Sequence, residues 1–402
     1  MHSSVVITLL LAVLQAVVAK DLRTVTEPKI PSACSSLSGT GKDETSTIQK
    51  ALTSCAKGKA LHLASGTFLS GPLTIPSGVS LWVDSGVVLK ASTNPNDYDE
   101  GKNTCGTLDS SGSGCKPFIT IKGATGTGIY GKGTIDGQGG QTMTGKSESW
   151  WELARDAQTK KKKQNAPRLI QIDNSKDITL YLITLKNSPN FHVASKSTNG
   201  FTAWGVTINT PGTARNTDGI DPMGSQNITI AHCNIATGDD NVAIKAGNAA
   251  TKHVSILNNK FGVGHGMSIG SEVNYGVSDV TVTTLTLDGT TNGLRIKSDK
   301  SRGGLVTGVT YSGVCMHNVK NPIVLDTQYS SASGSHIPTF KGITFSNVKV
   351  LTAGTFTFDG ISDSNPVEAT MSNVHIKSGS KWVTTHAKIS GKYETDASGN
   401  SC

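Results

Sequence analysis

The chain predicts an all-β, single-domain right-handed parallel β-helix, and three observations carry that expectation. Short apolar openings recur at Val206-Thr-Ile, Ile228-Thr-Ile, Val254-Ser-Ile and Val280-Thr-Val, and a second apolar run follows 13 or 14 residues later at Val242-Ala-Ile-Lys, Met267-Ser-Ile-Gly, Leu294-Arg-Ile-Lys and Ile323-Val-Leu-Asp. The period is 26 residues from Ile228 to Val254 and again to Val280, then 29 to Val309 and 34 to Ile343, as in a solenoid whose loops accept insertions. With 402 residues, 45 glycines, 16% charged residues and no sustained helical periodicity, the chain is long enough for a large core and rich in tight turns.

The elements follow in chain order. Val5 to Val18 is apolar apart from Thr8 and Gln15, and it ends in Val17-Val18-Ala19. About 14 apolar residues are too few for a bilayer, which needs about 20, so residues 1–19 read as a secretory signal and residues 20–402 as the mature, extracellular chain. The basic group ahead of the signal is only His2, a weak start for such a segment. A helix is expected around Thr45 to Leu52. Of seven cysteines in a secreted chain, Cys34 with Cys55 and Cys105 with Cys115 are the expected bridges. Cys233 and Cys315 lie three coils apart, roughly 14 Å by strand spacing and beyond bridging distance, and the partner of Cys402 is left open. The run Lys160 to Lys163 reads as a solvated face or a helix end. Asn227-Ile228-Thr229 is a glycosylation sequon whose use depends on the host.

A net charge of +8 fits an anionic partner. Nothing in the chain matches a nucleic-acid module, and 5% aromatic residues leave little for base stacking, so a polyanionic polysaccharide is the expected partner of a protein that is otherwise a monomer and free of membrane.

The repeat also locates the chemistry. Twelve residues beyond Val206 and Ile228 stand Asp218 and Asp240, and eleven beyond Ile228 and Val254 stand Asp239 and His265. Equivalent positions on adjacent coils lie about 4.8 Å apart, so three carboxylates and an imidazole are expected on one patch. Clustered carboxylates raise one another's pKa, which lets one stay protonated as an acid while another acts as a base, the division that glycoside hydrolysis needs. Alternation puts Arg295 and Lys297 on one face. Lys245 falls at the phase of Lys297, while Asp221 reads as a residue ordering a turn. Glycines beside these groups are expected to keep a groove open. Twelve residues beyond Ile178 stands Asn190, at the expected phase of Asp218 and Asp240, with Asn292 and Asn321 repeating it as turn amides or subsite residues.

Taken together, Asn216-Thr217-Asp218-Gly219-Ile220-Asp221, Gly238-Asp239-Asp240-Asn241, Gly264-His265-Gly266 and Arg295-Ile296-Lys297 resemble the polygalacturonases, pectin-hydrolysing β-helix glycoside hydrolases, over about Pro31 to Lys388. The run from Gly212 to Gly270 looks especially like the bacterial endo-acting members. The resemblance implies no cofactor and no metal, and it implies roles. Asp239 matches the acid that protonates the glycosidic oxygen, and Asp218 and Asp240 match the carboxylates that hold and deprotonate water. His265 matches the histidine that sustains the acid's protonation, while Arg295 and Lys297 match the cations on a galacturonate carboxylate. Tyr329 is a further substrate contact, although many relatives follow that tyrosine with cysteine where this chain has Ser330. The family inverts configuration, for which carboxyl groups usually stand roughly 6.5–9.5 Å apart, wider than adjacent coils suggest. Exo action, rhamnogalacturonan or xylogalacturonan hydrolysis, calcium-dependent elimination and non-catalytic polyuronate binding are the alternative readings.

Overall fold

Strands whose inward residues are Val, Ile, Leu and Phe cannot bury that face alone, and here they bury it by stacking on copies of themselves. The computed structural model describes residues 20–402, wound as a parallel β-helix of right-handed sense, the hand normal for a strand, crossover and parallel strand. The segment read as a secretory signal lies outside the described residues. In those residues no helix is long and apolar enough to cross a membrane.

The repeat expected from the sequence is the register of the fold. Ile228 pairs with Val254, Val254 with Val280, Val280 with Val309 and Val309 with Ile343. Val242 pairs with Met267, Met267 with Leu294 and Leu294 with Ile323 in the ladder that bears the site. One opening is displaced. Phe201, not Val206, pairs with Ile228, and Val206 instead precedes Thr207–Asn209, which pairs with Asn234–Ala236. Asp218 still aligns with Asp240, because Ile220 pairs with Val242. From Phe201 to Asp218 the chain takes 17 steps, against 12 from Ile228 to Asp240, and the five extra residues form a loop around Pro211 to Arg215. That loop offsets the five-residue displacement of the opening.

Left-handed residues turn each coil. Leu182, Gly205, His232, Asn258 and Thr284, at φ of 61°, 64°, 58°, 57° and 54°, occupy one place in successive coils, directly after the register-paired positions Tyr181, Trp204, Ala231, Leu257 and Thr283. Asparagine tolerates this backbone, and a leucine or threonine there is held by the stack around it. The turn residues of the composition are thus a geometric requirement repeated along the axis.

Both expected bridges are present, Cys34–Cys55 beside the helix Thr45–Ser54 and Cys105–Cys115. The helix buries Ile48 and Leu52 against the first coils. Cys402 pairs with Cys315, which ties the polar tail back across 87 residues, and Cys233 is a buried free thiol whose pKa burial pushes up to about 12. Lys160 caps the helix Trp150–Thr159 and meets Asp156 at 2.7 Å in solvent. At the other end of the described chain, the backbone amides of Lys20 and Asp21 donate to Ser255 Oγ, and Asp21 accepts from Arg23 and from Thr229 Oγ1, so the N-terminal segment lies across several coils.

The Cys315–Cys402 link closes the longest covalent loop, and chain entropy for a loop of that size is worth on the order of 4 kcal/mol. Cys402→Ser should therefore lower the denaturation midpoint measurably under oxidising conditions and have no effect under full reduction. An unchanged midpoint in both would mean that the tail contributes nothing.

Candidate active site

The site grows from one ladder, in which Ile220–Met223, Val242–Ile244, Met267–Gly270, Asn292–Lys297 and Asn321–Asp326 stack in parallel. Residues Val242, Ile244, Met267, Ile269, Leu294 and Ile296 point into the core and are fully buried. The alternate residues therefore face outward: Asp221, Lys245, Ser268, Arg295 and Lys297. Asp218, Asp239, Asp240 and His265 stand in the turns that enter these strands.

Asp240 is the fixed charge. Its side chain is buried, its Oδ1 accepts from Ser268 Oγ at 2.9 Å and from the Arg295 guanidinium, and its Oδ2 accepts from Lys297 Nζ at 2.9 Å. Burial works to raise the carboxyl's pKa, but Lys297 and Arg295 outweigh it and hold Asp240 well below the usual carboxylate range. In the free protein the two cations are engaged by Asp240 rather than free for a substrate. The Nζ of Lys297 also lies 5.1 Å over the ring of Tyr329, which is exposed beside it.

Asp218 sits in the opposite environment. It is 3% exposed, its Oδ1 has no hydrogen-bond partner among the described residues, and its Oδ2 is 3.5 Å from Lys245 Nζ. Burial, then the charges of Asp221 and Asp239, push it well above the ordinary carboxylate value, with Lys245 opposing. Asp221 does not order a turn. It lies on the strand Ile220–Met223, buried, with Oδ2 at 2.7 Å from Lys245 Nζ, and alternation from Ile220 is the signal that could have placed it on the groove face. Burial lowers the ammonium pKa of Lys245, yet Asp221 and Asp218 override it and keep the group firmly protonated.

Asp239 is the most accessible of the three acids. Its Oδ1 is 3.0 Å from His265 Nδ1 and accepts the amide of Asp240 at 2.9 Å, while Asn216 Nδ2 approaches Oδ2 at 3.4 Å. Burial raises its pKa most, but the hydrogen bond and charge of His265, together with the charge of Lys297, outweigh that and leave it below the usual value. In the free protein His265 thus favours the ionised form of Asp239.

Backbone contacts hold these turns together. A Cβ on Gly238 would stand 1.9 Å from the carbonyl oxygen of Ala214, and one on Gly266 2.1 Å from that of Asn292, so these glycines let neighbouring coils close on each other instead of widening a groove. The buried Asn241 donates to the carbonyls of Ile235 and Val263 and accepts from the amide of Gly266. Thr217 accepts the amide of Gly238. His192, fully buried, lies against the carbonyl of Asp218 and Thr210 Oγ1, and burial lowers its pKa to about 4, so it remains neutral. Asn241, Thr217 and His192 carry no repeat signal, which is why sequence reasoning gave them no role. Ser330, where relatives have cysteine, donates to Asp299 Oδ2 at 2.7 Å.

Asn190 is not in the row of Asp218. Because Val193 pairs with Ile220, Phe191 stands opposite Asp218, and the 15 steps from Ile178 to Val193 exceed by one the 14 from Ile228 to Val242. The Asn190 side chain accepts the amide of Phe191 at 2.7 Å, as a turn asparagine does, while it also lines a cavity of about 520 Å³ with Lys116, Lys122, Arg168 and Lys196. Asn292 and Asn321 do form an amide ladder, with Asn321 Nδ2 donating to Asn292 Oδ1 at 3.2 Å. The cavity lies on the N-terminal side of the acids and is continuous in lining with a second of about 130 Å³ that reaches Phe191 and Asp221. A cavity of about 580 Å³ at the C-terminal coils, around Ile343 and Ala387, contains none of the acids.

Residues 55–398 match the glycosyl hydrolases family 28 model. The chain belongs to that family. This glycosyl hydrolase is 57% identical over 376 residues to an endo-polygalacturonase of Pectobacterium parmentieri, covering 92% of this chain and 93% of the relative. It is 43% identical over 381 residues to a polygalacturonase of Ralstonia solanacearum, covering 82% and 72%. Among solved structures, a polygalacturonase from Erwinia carotovora ssp. carotovora superposes with a TM-score of 0.90 at 55% identity, covering 92% of this chain and 99% of that one.

Removing one member of a buried ion pair leaves an uncompensated charge at a cost of several kcal/mol. Lys245→Met should lower the stability of the glycosyl hydrolase by about 3 kcal/mol at neutral pH, and the double change Lys245→Met with Asp221→Leu should recover part of it. Urea titrations of the two variants check this, and a neutral single substitution would show that Lys245 and Asp221 are not held as a charged pair.

Proposed function

We propose that this glycosyl hydrolase is a secreted endo-polygalacturonase that cleaves α-1,4-linked galacturonic acid bonds of polygalacturonan with inversion. The observation that carries the reading is the cluster of three carboxylates in unlike environments, Asp240 clamped by Arg295 and Lys297, Asp218 buried beside Lys245, and Asp239 facing the groove on His265. The naming of the 57% identical relative as an endo-polygalacturonase supports the endo mode.

Asp240 stays ionised throughout. Asp218 and Asp239 divide the proton, and burial gives Asp218 the greater affinity for it in the free protein. A uronate entering the groove adds a negative charge and removes water near Asp239, and both effects favour protonated Asp239, with Asp218 ionised against Lys245. Asp239 then protonates the glycosidic oxygen, and Asp218, whose free Oδ1 needs a donor, takes a proton from the attacking water. Arg295 and Lys297 bind a galacturonate carboxylate while sharing Asp240, and Tyr329 and Asn190 border the two ends of the bound segment.

Calcium-dependent elimination fits less well. Ligand atoms of Asp239, Asp240 and His265 lie within 4.8 Å of one another, yet both oxygens of Asp240 are occupied by Arg295 and Lys297, and two cations are poor neighbours for a third.

The test is incubation with polygalacturonate while viscosity, reducing ends and ultraviolet absorbance are followed together. Endo-hydrolysis predicts rapid loss of viscosity with few new ends and no absorbance of unsaturated uronides, and Asp239→Asn should reduce kcat by about 10²- to 10⁴-fold with the melting temperature unchanged. Slow viscosity loss would mean exo action, new absorbance would mean elimination, and a variant with more than a tenth of the parent kcat would remove Asp239 from the acid role.

A further inference from the structure

The two outward rows carry cations interspersed with Asp173 and Asp221 up to Lys297 and none beyond it. On its N-terminal side the outward row carries Lys122, then Asp173, then Lys196 in direct register, and beyond Met223 it carries Lys245. On the C-terminal side Lys297 pairs with Asp326, Asp326 with Asp359 and Asp359 with Thr385. The companion row runs from Arg295 through Val324 and Thr357 to Val383. For three coils past the catalytic cations, the two outward rows therefore hold two carboxylates and no cation.

Those carboxylates are not neutralised. Among the described residues neither Asp326 nor Asp359 has an ion-pair partner within 4 Å, whereas Asp218, Asp221, Asp240 and Asp299 all have one. Their hydrogen bonds come from neutral groups, the amide of Gln328 to Asp326 at 2.8 Å and Gln328 Nε2 to Asp359 at 3.3 Å. Half-burial and the charge of Asp359 raise the pKa of Asp326, against the Gln328 amide and the more distant charge of Arg295, as expected of two acids about one coil apart. Beside them Tyr329 is 45% exposed, an aromatic surface suited to a methyl group.

Resting on the polygalacturonan reading above, we propose that Asp326 and Asp359 determine specificity at the C-terminal end of the groove, disfavouring a free uronate carboxylate there and favouring a methyl-esterified or neutral sugar. A carboxylate placed there meets two like charges, while its methyl ester meets no such repulsion and gains the Tyr329 ring. The enzyme would then cut where a free-acid stretch, held by Lys196, Arg295 and Lys297, meets an esterified one.

The test compares kcat/KM on fully de-esterified polygalacturonate and on partly methyl-esterified polygalacturonan of the same length, for the parent enzyme and for the double variant Asp326→Asn with Asp359→Asn. Removing the two charges should raise kcat/KM on the free acid at least threefold relative to the ester, and the gain should shrink as salt is added. An unchanged ratio, or a ratio that moves toward the ester, would overturn the proposal. If the double variant is poorly folded, the single Asp359→Asn change must move the ratio in the same direction. A parent enzyme that releases reducing ends from neither substrate would instead overturn the hydrolase reading, and this inference with it.

Discussion

Parallel strand pairing in constant register is the constraint on which everything else in this molecule depends. It converts residues some 26 apart in sequence into neighbours about 4.8 Å apart in space, so a turn that carries one acid becomes a surface that carries three. The same constraint demands small or left-handed residues wherever coils touch, as at Gly238 against Ala214 and Gly266 against Asn292. Site and scaffold therefore share residues, and the short glycine-flanked turns of the site are as much packing devices as chemical ones.

The electrostatics follow from where each acid falls on the stack. Asp240 enters the strand directly below two outward cations and is fixed as an anion. Asp218, one coil earlier, meets Lys245 at a longer distance and shares it with Asp221, so burial prevails there. Asp239 faces the groove and depends on His265. Three chemically identical side chains thus acquire three different affinities for a proton, which is what acid and base work on a single bond requires.

Much of this was legible in the sequence because a β-helix writes its register as periodicity. The apolar openings from Ile228 to Ile343 gave the ladder residue by residue, and Asp239, Asp240, His265, Arg295 and Lys297 came with it. What failed did so where the count between strands varies. The loop around Pro211 to Arg215 hid the displacement of Val206, and one extra residue before Val193 put Asn190 out of phase with Asp218. Pairwise chemistry was not legible either. Nothing periodic tells that Asp221 takes Lys245, that Arg295 and Lys297 settle on Asp240 in the free protein, or that Cys402 reaches Cys315.

The central claim is that an acid on Asp239 and a base on Asp218 act on opposite sides of the glycosidic bond with a water between them. Ligand atoms of Asp239 and Asp240 lie within 4.8 Å, nearer than the roughly 6.5–9.5 Å usual for inverting pairs, and in the proposed reading it is Asp218 that supplies the opposite face. The anomeric configuration of the first product decides the matter. Proton NMR of a galacturonate oligomer during the first turnovers should show the β-anomer at the new reducing end before mutarotation, as a single displacement on an α-linkage requires. An α-anomer appearing first would mean two displacements through a covalent intermediate, and would contradict the account.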